Sequence, residues 1–172
     1  MRGVGVDIVD LGAFAASLAE PGTRLTRAFS ATERRQCRER AESRGARPGE
    51  ATVSSSSGAS GASAPGTSGP APARREDPLA RHLAARWAAK EAVVKAWSAA
   101  LYGEPPPIAP DLLRWSEIET VCDNWGRPSV RLGGEVARQV AATIGEGARW
   151  NVSLSHDGGS AIAFVVLEGP GG

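Results

Sequence analysis

Apolar and polar positions alternate, spiral and then alternate again along this chain. Val4, Val6 and Ile8 are separated by Gly5 and Asp7, the two-residue period of a strand, with the aliphatics on one face and Asp7 on the other. Residues 11–19 predict a short helix stopped by Pro21-Gly22. Ser30-Ala31-Thr32-Glu33 has the spacing of a capping box and opens a second helix through Arg34, Arg35, Cys37 and Arg38. From Leu83 an apolar stripe begins, and residues 86–97 form a helix without Pro or Gly that ends before Gly103 and Pro105-Pro106-Pro107. Residues 117–122 and 129–132 read as two strands around a turn at 124–128. Val136, Val140 and Ile144 mark an amphipathic helix. Residues 151–155 and 161–166 are strands around His156-Asp157-Gly158-Gly159, where Asp-Gly is a hairpin signal. These elements predict an α+β fold, with antiparallel strands packed on a central buried helix.

One stretch breaks the pattern. Every residue of 51–73 except Val53 is Ala, Ser, Gly, Pro or Thr, which offers too little apolar surface to offset the entropy of ordering it. A disordered insertion at about 46–76 is expected, inside a single domain covering 1–172, because the segment before it is too short for a core of its own. The whole chain of 172 residues, 41% hydrophobic, is large enough for one core. A formal charge of +1 implies no bulk attraction to nucleic acid or membrane. No apolar run has the length of a bilayer span and no secretory signal pattern opens the chain, so a cytoplasmic protein is expected. Cys37 and Cys122 lack zinc or disulfide-framework spacing.

Candidate chemistry centres on the central helix. Between Trp87 and Tyr102 its only charged residues are Lys90, Glu91 and Lys95, and charges in so apolar a helix are costly unless paired or bound to something. Glu91 and Lys95, one turn apart, can pair with each other, or hold a cation and a phosphate of one ligand. Asp7 is either a solvated residue of an edge strand or, beside a Gly5 that admits a ligand to the backbone, a hard oxygen ligand for Mg²⁺. Two carboxylates suffice for Mg²⁺, which completes its octahedron with water and substrate phosphates, so Asp7, Glu91 and Lys95 together point to phosphate chemistry. His156 at a hairpin turn is either exposed and inert or a donor to a phosphate, with Asp157 a turn-former. Gly126-Arg127-Pro128 is a tight turn whose amides and Arg127 can meet a nucleotide. Arg24, Arg27, Arg34, Arg35, Arg38 and Arg40 form a basic segment, either a solvated face or a dock for an acidic protein.

The order of these elements is more specific than any one of them. Gly5-Val6-Asp7, Phe29-Ser30 with Glu33, the run Arg86-Trp87-Ala88-Ala89-Lys90-Glu91-Ala92 with Lys95, Gly126-Arg127-Pro128, and Ser153-Leu154-Ser155-His156 before Ala161-Ile162-Ala163 follow one another along the chain. This arrangement resembles the holo-[acyl-carrier-protein] synthase family of 4′-phosphopantetheinyl transferases. The resemblance implies transfer of 4′-phosphopantetheine from coenzyme A to a serine of an acyl carrier protein of fatty acid or polyketide synthesis, releasing adenosine 3′,5′-bisphosphate. It implies that Asp7 and Glu91 bind Mg²⁺ and that Arg86, Lys95 and His156 contact coenzyme A. The turn of Gly126, Arg127 and Pro128 would lie against the adenine, and a homotrimer would have each active site between two subunits. Glu91, directly or through a water, is the first candidate base and His156 the second. An acidic apo-carrier would dock on the basic segment through Arg24 and Arg27. Ala13 stands where the family usually has a carrier-contacting arginine, which favours a broad-specificity enzyme as the alternative. A non-catalytic carrier-binding or coenzyme A-binding oligomer is the alternative of another class.

Overall fold

A computed structural model describes residues 1–45 and 77–171, and the insertion expected at about 46–76 lies outside the described residues. The chain runs β1 (Gly3–Asp10), α1 (Leu11–Ala19), a 3-10 turn (Leu25–Ala28), α2 (Ala31–Gly45), α3 (Pro78–Ala100), a second 3-10 turn (Trp115–Glu117), β2 (Ile118–Cys122), β3 (Pro128–Leu132), α4 (Gly134–Ile144), β4 (Arg149–Asp157) and β5 (Ser160–Glu168). β1, β5 and β4 form an antiparallel sheet in that order, and β2 and β3 a separate antiparallel pair. The architecture is α+β, with both sheets laid against α3 as the residue pattern predicts. Among the described residues no helix is long and apolar enough to cross a membrane.

α3 starts on Asp77, whose side chain accepts from the Leu79 amide at 2.9 Å, with Pro78 at the first helical position, where its missing N–H is no loss. Its alanines make it thin. Ala84, Ala88, Ala89, Ala92 and Ala96 are fully buried, and so are Ala161 and Ala163 on the β5 face beneath. The closest approach is to β1, where a Cβ at Gly3 or Gly5 would collide with the Ala96 or Ala92 carbonyl oxygen. Gly5 therefore admits a helix rather than a ligand. That packing also decides which face of β1 is inside. The aliphatic face of Val4, Val6 and Ile8 points outward, and Asp7, only 8% exposed, points at α3 with the two glycines. The solvated reading of Asp7 is thereby overturned.

α2 opens as the capping box requires. Ser30 Oγ accepts from the Glu33 amide at 3.1 Å, while Glu33 Oε2 accepts from the Ser30 amide at 2.9 Å. Glu33 is nevertheless fully buried. Its Oε1 takes the Thr120 amide at 2.9 Å and its Oε2 the Lys90 ammonium at 2.9 Å. Lys90 also donates to the carbonyls of Trp115, at 3.0 Å, and Ile118, which engages all three of its donors. Burial pushes the Lys90 ammonium below its ordinary range against the pull of Glu33. This pair bolts α2, α3 and β2 together. Gln36 adds a two-point clamp, donating to the Cys122 carbonyl at 2.9 Å and accepting its amide at 3.0 Å.

Two local expectations shift. Glu117 lies in the 3-10 turn rather than in β2, and its Oε2 accepts from the Val136 amide at 3.0 Å at the start of α4. His156 lies within β4, paired with Ala161, and the turn proper is Gly158-Gly159, both at positive φ. The hairpin is tight enough that the strand ladder extends to Asp157 opposite Ser160.

Candidate active site

The register places the candidate residues on one surface. Asp7, Ala163 and Leu154 form one cross-strand row, and Val9, Ala161 and His156 the next. Directly opposed residues share a face, so Asp7 and His156 both look toward α3. They are two strands apart, roughly 10 Å at the usual strand spacing. α3 supplies the other wall, with Arg86 about 7.5 Å before Glu91 along the helix axis.

At the β1 end Asp7, Glu91 and Lys95 meet. Lys95 pairs with Asp7 rather than with Glu91: its Nζ donates to Asp7 Oδ1 at 2.7 Å and to the Val6 carbonyl at 3.1 Å. The side chain of Lys95 is 55% exposed, so of the three helix charges it is Lys90 that lies deepest, not Lys95. The hydrogen bond to Asp7, helped by the charges of Asp7 and Glu91, raises the Lys95 ammonium above its ordinary range. Glu91 is half-buried, and its carboxyl is raised by burial first, then by repulsion from and a hydrogen bond with Asp7, against Lys95. Asp7 Oδ2 is buried and takes no hydrogen bond from Lys95, the backbone or any side chain other than the Glu91 carboxyl, which can donate only when protonated. Two crowded carboxylates with an unpartnered oxygen form a site short of positive charge. Hard oxygen donors, two in number, suit Mg²⁺, and among the described residues no larger cluster of acidic, His or Cys ligands competes for a metal.

At the β4 end Arg40, His82, Arg86, Cys122, Gly126, Pro128, Leu154, Ser155 and His156 line a cleft of about 150 Å³. Arg86 is buried. Its Nη1 donates to the His82 carbonyl at 3.3 Å, its Nη2 approaches Cys122 Sγ at 3.9 Å, and its Nε has no partner. A buried guanidinium with an unused donor is costly unless an anion completes it. A larger apolar cavity of about 400 Å³ around Trp97, Leu101 and Leu113 has no cationic side chain in its wall. The small cleft, not the large cavity, has the chemistry of a phosphate site.

The structure thus brings Asp7, Glu91 and Lys95 together at one end and Arg86, Gly126, Pro128 and His156 at the other. Arg127 stands apart. Its Nε donates to Asp123 Oδ2 at 2.6 Å, its guanidinium lies 5.0 Å from the centre of the exposed Trp125 ring, and it faces solvent outside the cleft. Asp123 shapes that turn by accepting the Trp125 and Arg127 amides, and those bonds, the Arg127 amide first, hold its carboxyl below the usual range. Gly126 has φ +88°, and a Cβ there would stand 3.1 Å from Arg40 Nη2, so the turn closes directly over Arg40. His82 is a member of the cleft that the sequence did not single out, and Arg40, read there only as part of the basic segment, lines the cleft as well. Helical spacing holds the signal for both: Arg40 follows the buried Glu33 and Cys37 on the inner face of α2, and His82 precedes Arg86 by one turn of α3. Arg27 on the 3-10 turn beyond α1 and Arg24 just before it are both exposed, clear of the cleft.

A carboxylate pair whose donors suit a hard cation, on the same sheet–helix seam as a cationic cleft, offers the groups that a diphosphate ligand needs. The model of the 4′-phosphopantetheinyl transferase superfamily matches residues 62–165. Holo-[acyl-carrier-protein] synthase of Corynebacterium glutamicum is 39% identical over 97% of this chain and 98% of its own length. The protein of the same name from Bifidobacterium animalis subsp. lactis is 41% identical over 98% of each. The solved ACPS–CoA complex of Chronobacterium ammoniagenes superposes with a TM-score of 0.73 at 36% identity, covering 97% of this chain and 96% of that one. The chain belongs to the holo-[acyl-carrier-protein] synthase family of this superfamily, and it is an enzyme of that transferase class.

Proposed function

We propose that this enzyme, a single domain over 1–172 working in the cytoplasm, transfers 4′-phosphopantetheine from coenzyme A to a serine of apo-acyl carrier protein. The reaction uses Mg²⁺ and releases adenosine 3′,5′-bisphosphate. The observation that carries the reading is the unpartnered, buried Asp7 Oδ2 beside Glu91, on the same sheet-helix seam as the Arg86 cleft. Asp7 and Glu91 would hold Mg²⁺, which supplies positive charge against the diphosphate oxygens as the phosphoanhydride breaks. Lys95 neutralises charge on the same oxygens. Arg86 and His156 seat the remaining phosphate, with Arg40 and His82 beside them, and the turn at Gly126, Arg127 and Pro128 borders the adenine. Glu91 takes the proton of the attacking serine hydroxyl, and the electrons of the broken P–O bond leave on the bisphosphate. His156, two strands from Asp7, serves binding rather than proton removal.

The active unit is a homotrimer in this reading. Val4, Val6, Ile8, Ile162 and Phe164 expose a continuous apolar face on β1 and β5, with Ile8 66% and Phe164 47% exposed, the sort of patch that marks an interface. A cleft of about 150 Å³ is also smaller than ligand pockets usually are, as expected where a neighbouring subunit supplies the other wall. Light scattering is expected to give about three times the 17.8 kDa chain mass, and a monomer at working concentration would contradict this.

The acidic carrier docks on Arg24 and Arg27. Arg24→Glu is expected to weaken carrier binding about tenfold or more while changing coenzyme A affinity less than twofold, because rim charges act mainly on encounter with a charged partner. Equal losses for both ligands, measured by titration calorimetry, would remove carrier docking from this surface. α1 carries no charged residue between Leu11 and Ala19, which favours acceptance of several carrier types as the second reading.

A further inference from the structure

Lys95 occupies an unusual position for a group that is to meet a phosphate. Its ammonium lies on Asp7 Oδ1 at 2.7 Å and on the Val6 carbonyl at 3.1 Å, against the carboxylate assigned above to the cation. Asp7 is packed inside by the α3–β1 contact, whereas the Lys95 side chain is 55% exposed and has solvent on its outer side. With both carboxyls ionised and Lys95 in place, the cluster of Asp7, Glu91 and Lys95 carries a net charge of −1. A divalent cation added without moving Lys95 would bring it to +1, with an ammonium and a dication on one carboxylate, where like-charge repulsion is greatest.

We propose that Lys95 is the resident counter-ion of the cation position, and that a divalent cation enters by exchange with its ammonium as the diphosphate of coenzyme A arrives to receive it. The proposal rests on the assignment of Asp7 and Glu91 to the cation. The displaced ammonium needs a new anionic partner, and the diphosphate is that partner. Cation and coenzyme A therefore bind with positive coupling, each raising the affinity of the other by the same factor. The free enzyme is poorly loaded with metal, and the metal comes in with its substrate. Lys95 thus has two successive partners, Asp7 before loading and phosphate after it.

The test is direct binding of Mn²⁺, followed by electron paramagnetic resonance of the free ion, with and without coenzyme A. In the absence of coenzyme A, Lys95→Gln and Lys95→Ala are expected to bind Mn²⁺ about fivefold or more tightly than wild type, since the competing charge is gone. Lys95→Arg, which keeps the charge, is expected to stay within about twofold of wild type. In wild type, coenzyme A is expected to tighten Mn²⁺ by about tenfold or more, and by distinctly less in Lys95→Gln. Mn²⁺ affinity in Lys95→Gln and Lys95→Ala equal to or weaker than wild type would overturn the exchange while leaving the cation site standing. Failure of wild type to bind Mn²⁺ even with coenzyme A, or undiminished binding in Asp7→Asn, would overturn the cation site and the exchange with it.

Discussion

Replacing Glu91 with Gln is expected to reduce kcat/KM for carrier modification by about 10²–10³-fold or more, the scale on which a preorganised electrostatic group acts in a transition state. The same substitution is expected to leave the fold intact and its thermal stability undiminished. Glu91 is crowded by Asp7 and half-buried, and both raise its pKa in the folded state. A carboxyl whose folded pKa lies above its unfolded value binds protons more tightly when folded. Its contribution to stability is complete below the unfolded pKa and is lost as pH rises through the folded pKa. At neutral pH, without metal, the ionised Glu91 therefore works against the fold, and Gln relieves that repulsion at constant shape. Thermal melts of both forms between pH 5 and pH 8 check the sign. The Glu91→Gln protein should melt at or above wild type at the upper end, with a flatter pH profile. Near-wild-type turnover, or a marked fall in melting temperature at neutral pH, would contradict the role given to Glu91.

The largest effect on stability is expected at the preceding residue, whose side chain is fully buried. Lys90→Met keeps length and apolar bulk but leaves Glu33 ionised and buried without its cation, with a loss of about 3–5 kcal/mol. For a chain of this size that corresponds to a fall in melting temperature of roughly 6–20 °C. Because Lys90 ties α2 and β2 to α3, the Arg86 cleft is expected to lose affinity for adenosine 3′,5′-bisphosphate as well. Adding Glu33→Gln to Lys90→Met removes the stranded charge, and the double variant should regain a large part of the lost stability. Chemical denaturation of the four proteins of this cycle gives the coupling energy, and strict additivity would show that the pair acts as two separate residues.

The contrast between Glu91 and Lys90 shows what the residue pattern carried and what it did not. Elements set by local rules were legible. α1 ends where Pro21-Gly22 stops it, α2 opens on its capping box, and the Asp157-Gly158 signal falls at a real hairpin. The buried character of α3 was legible too, because its apolar residues surround it. Relations between distant segments were not. Lys90 and Glu33 are 57 positions apart and on either side of the 46–76 stretch, so neither residue announces the other. The inward turn of Asp7 depends on two glycines meeting α3 carbonyls, and alternation alone does not say which face of a strand is buried. Lys95 followed the same logic. Helical spacing offered Glu91 as its partner, and the packing of β1 supplied a nearer one in Asp7. Arg40 joined the cleft only because the Asp123–Arg127 turn folds back over α2.

Group transfer leaves its mark on the acceptor, and intact mass spectrometry of the carrier protein reads it without intermediate steps. Apo-acyl carrier proteins of fatty acid, polyketide and peptide type are incubated in turn with the enzyme, coenzyme A and Mg²⁺. A gain of one phosphopantetheine on at least one carrier is expected, abolished by EDTA and by Glu91→Gln, with adenosine 3′,5′-bisphosphate formed in equal amount. No gain on any carrier, from enzyme that binds coenzyme A, would contradict it and leave a coenzyme A-binding protein without transferase activity.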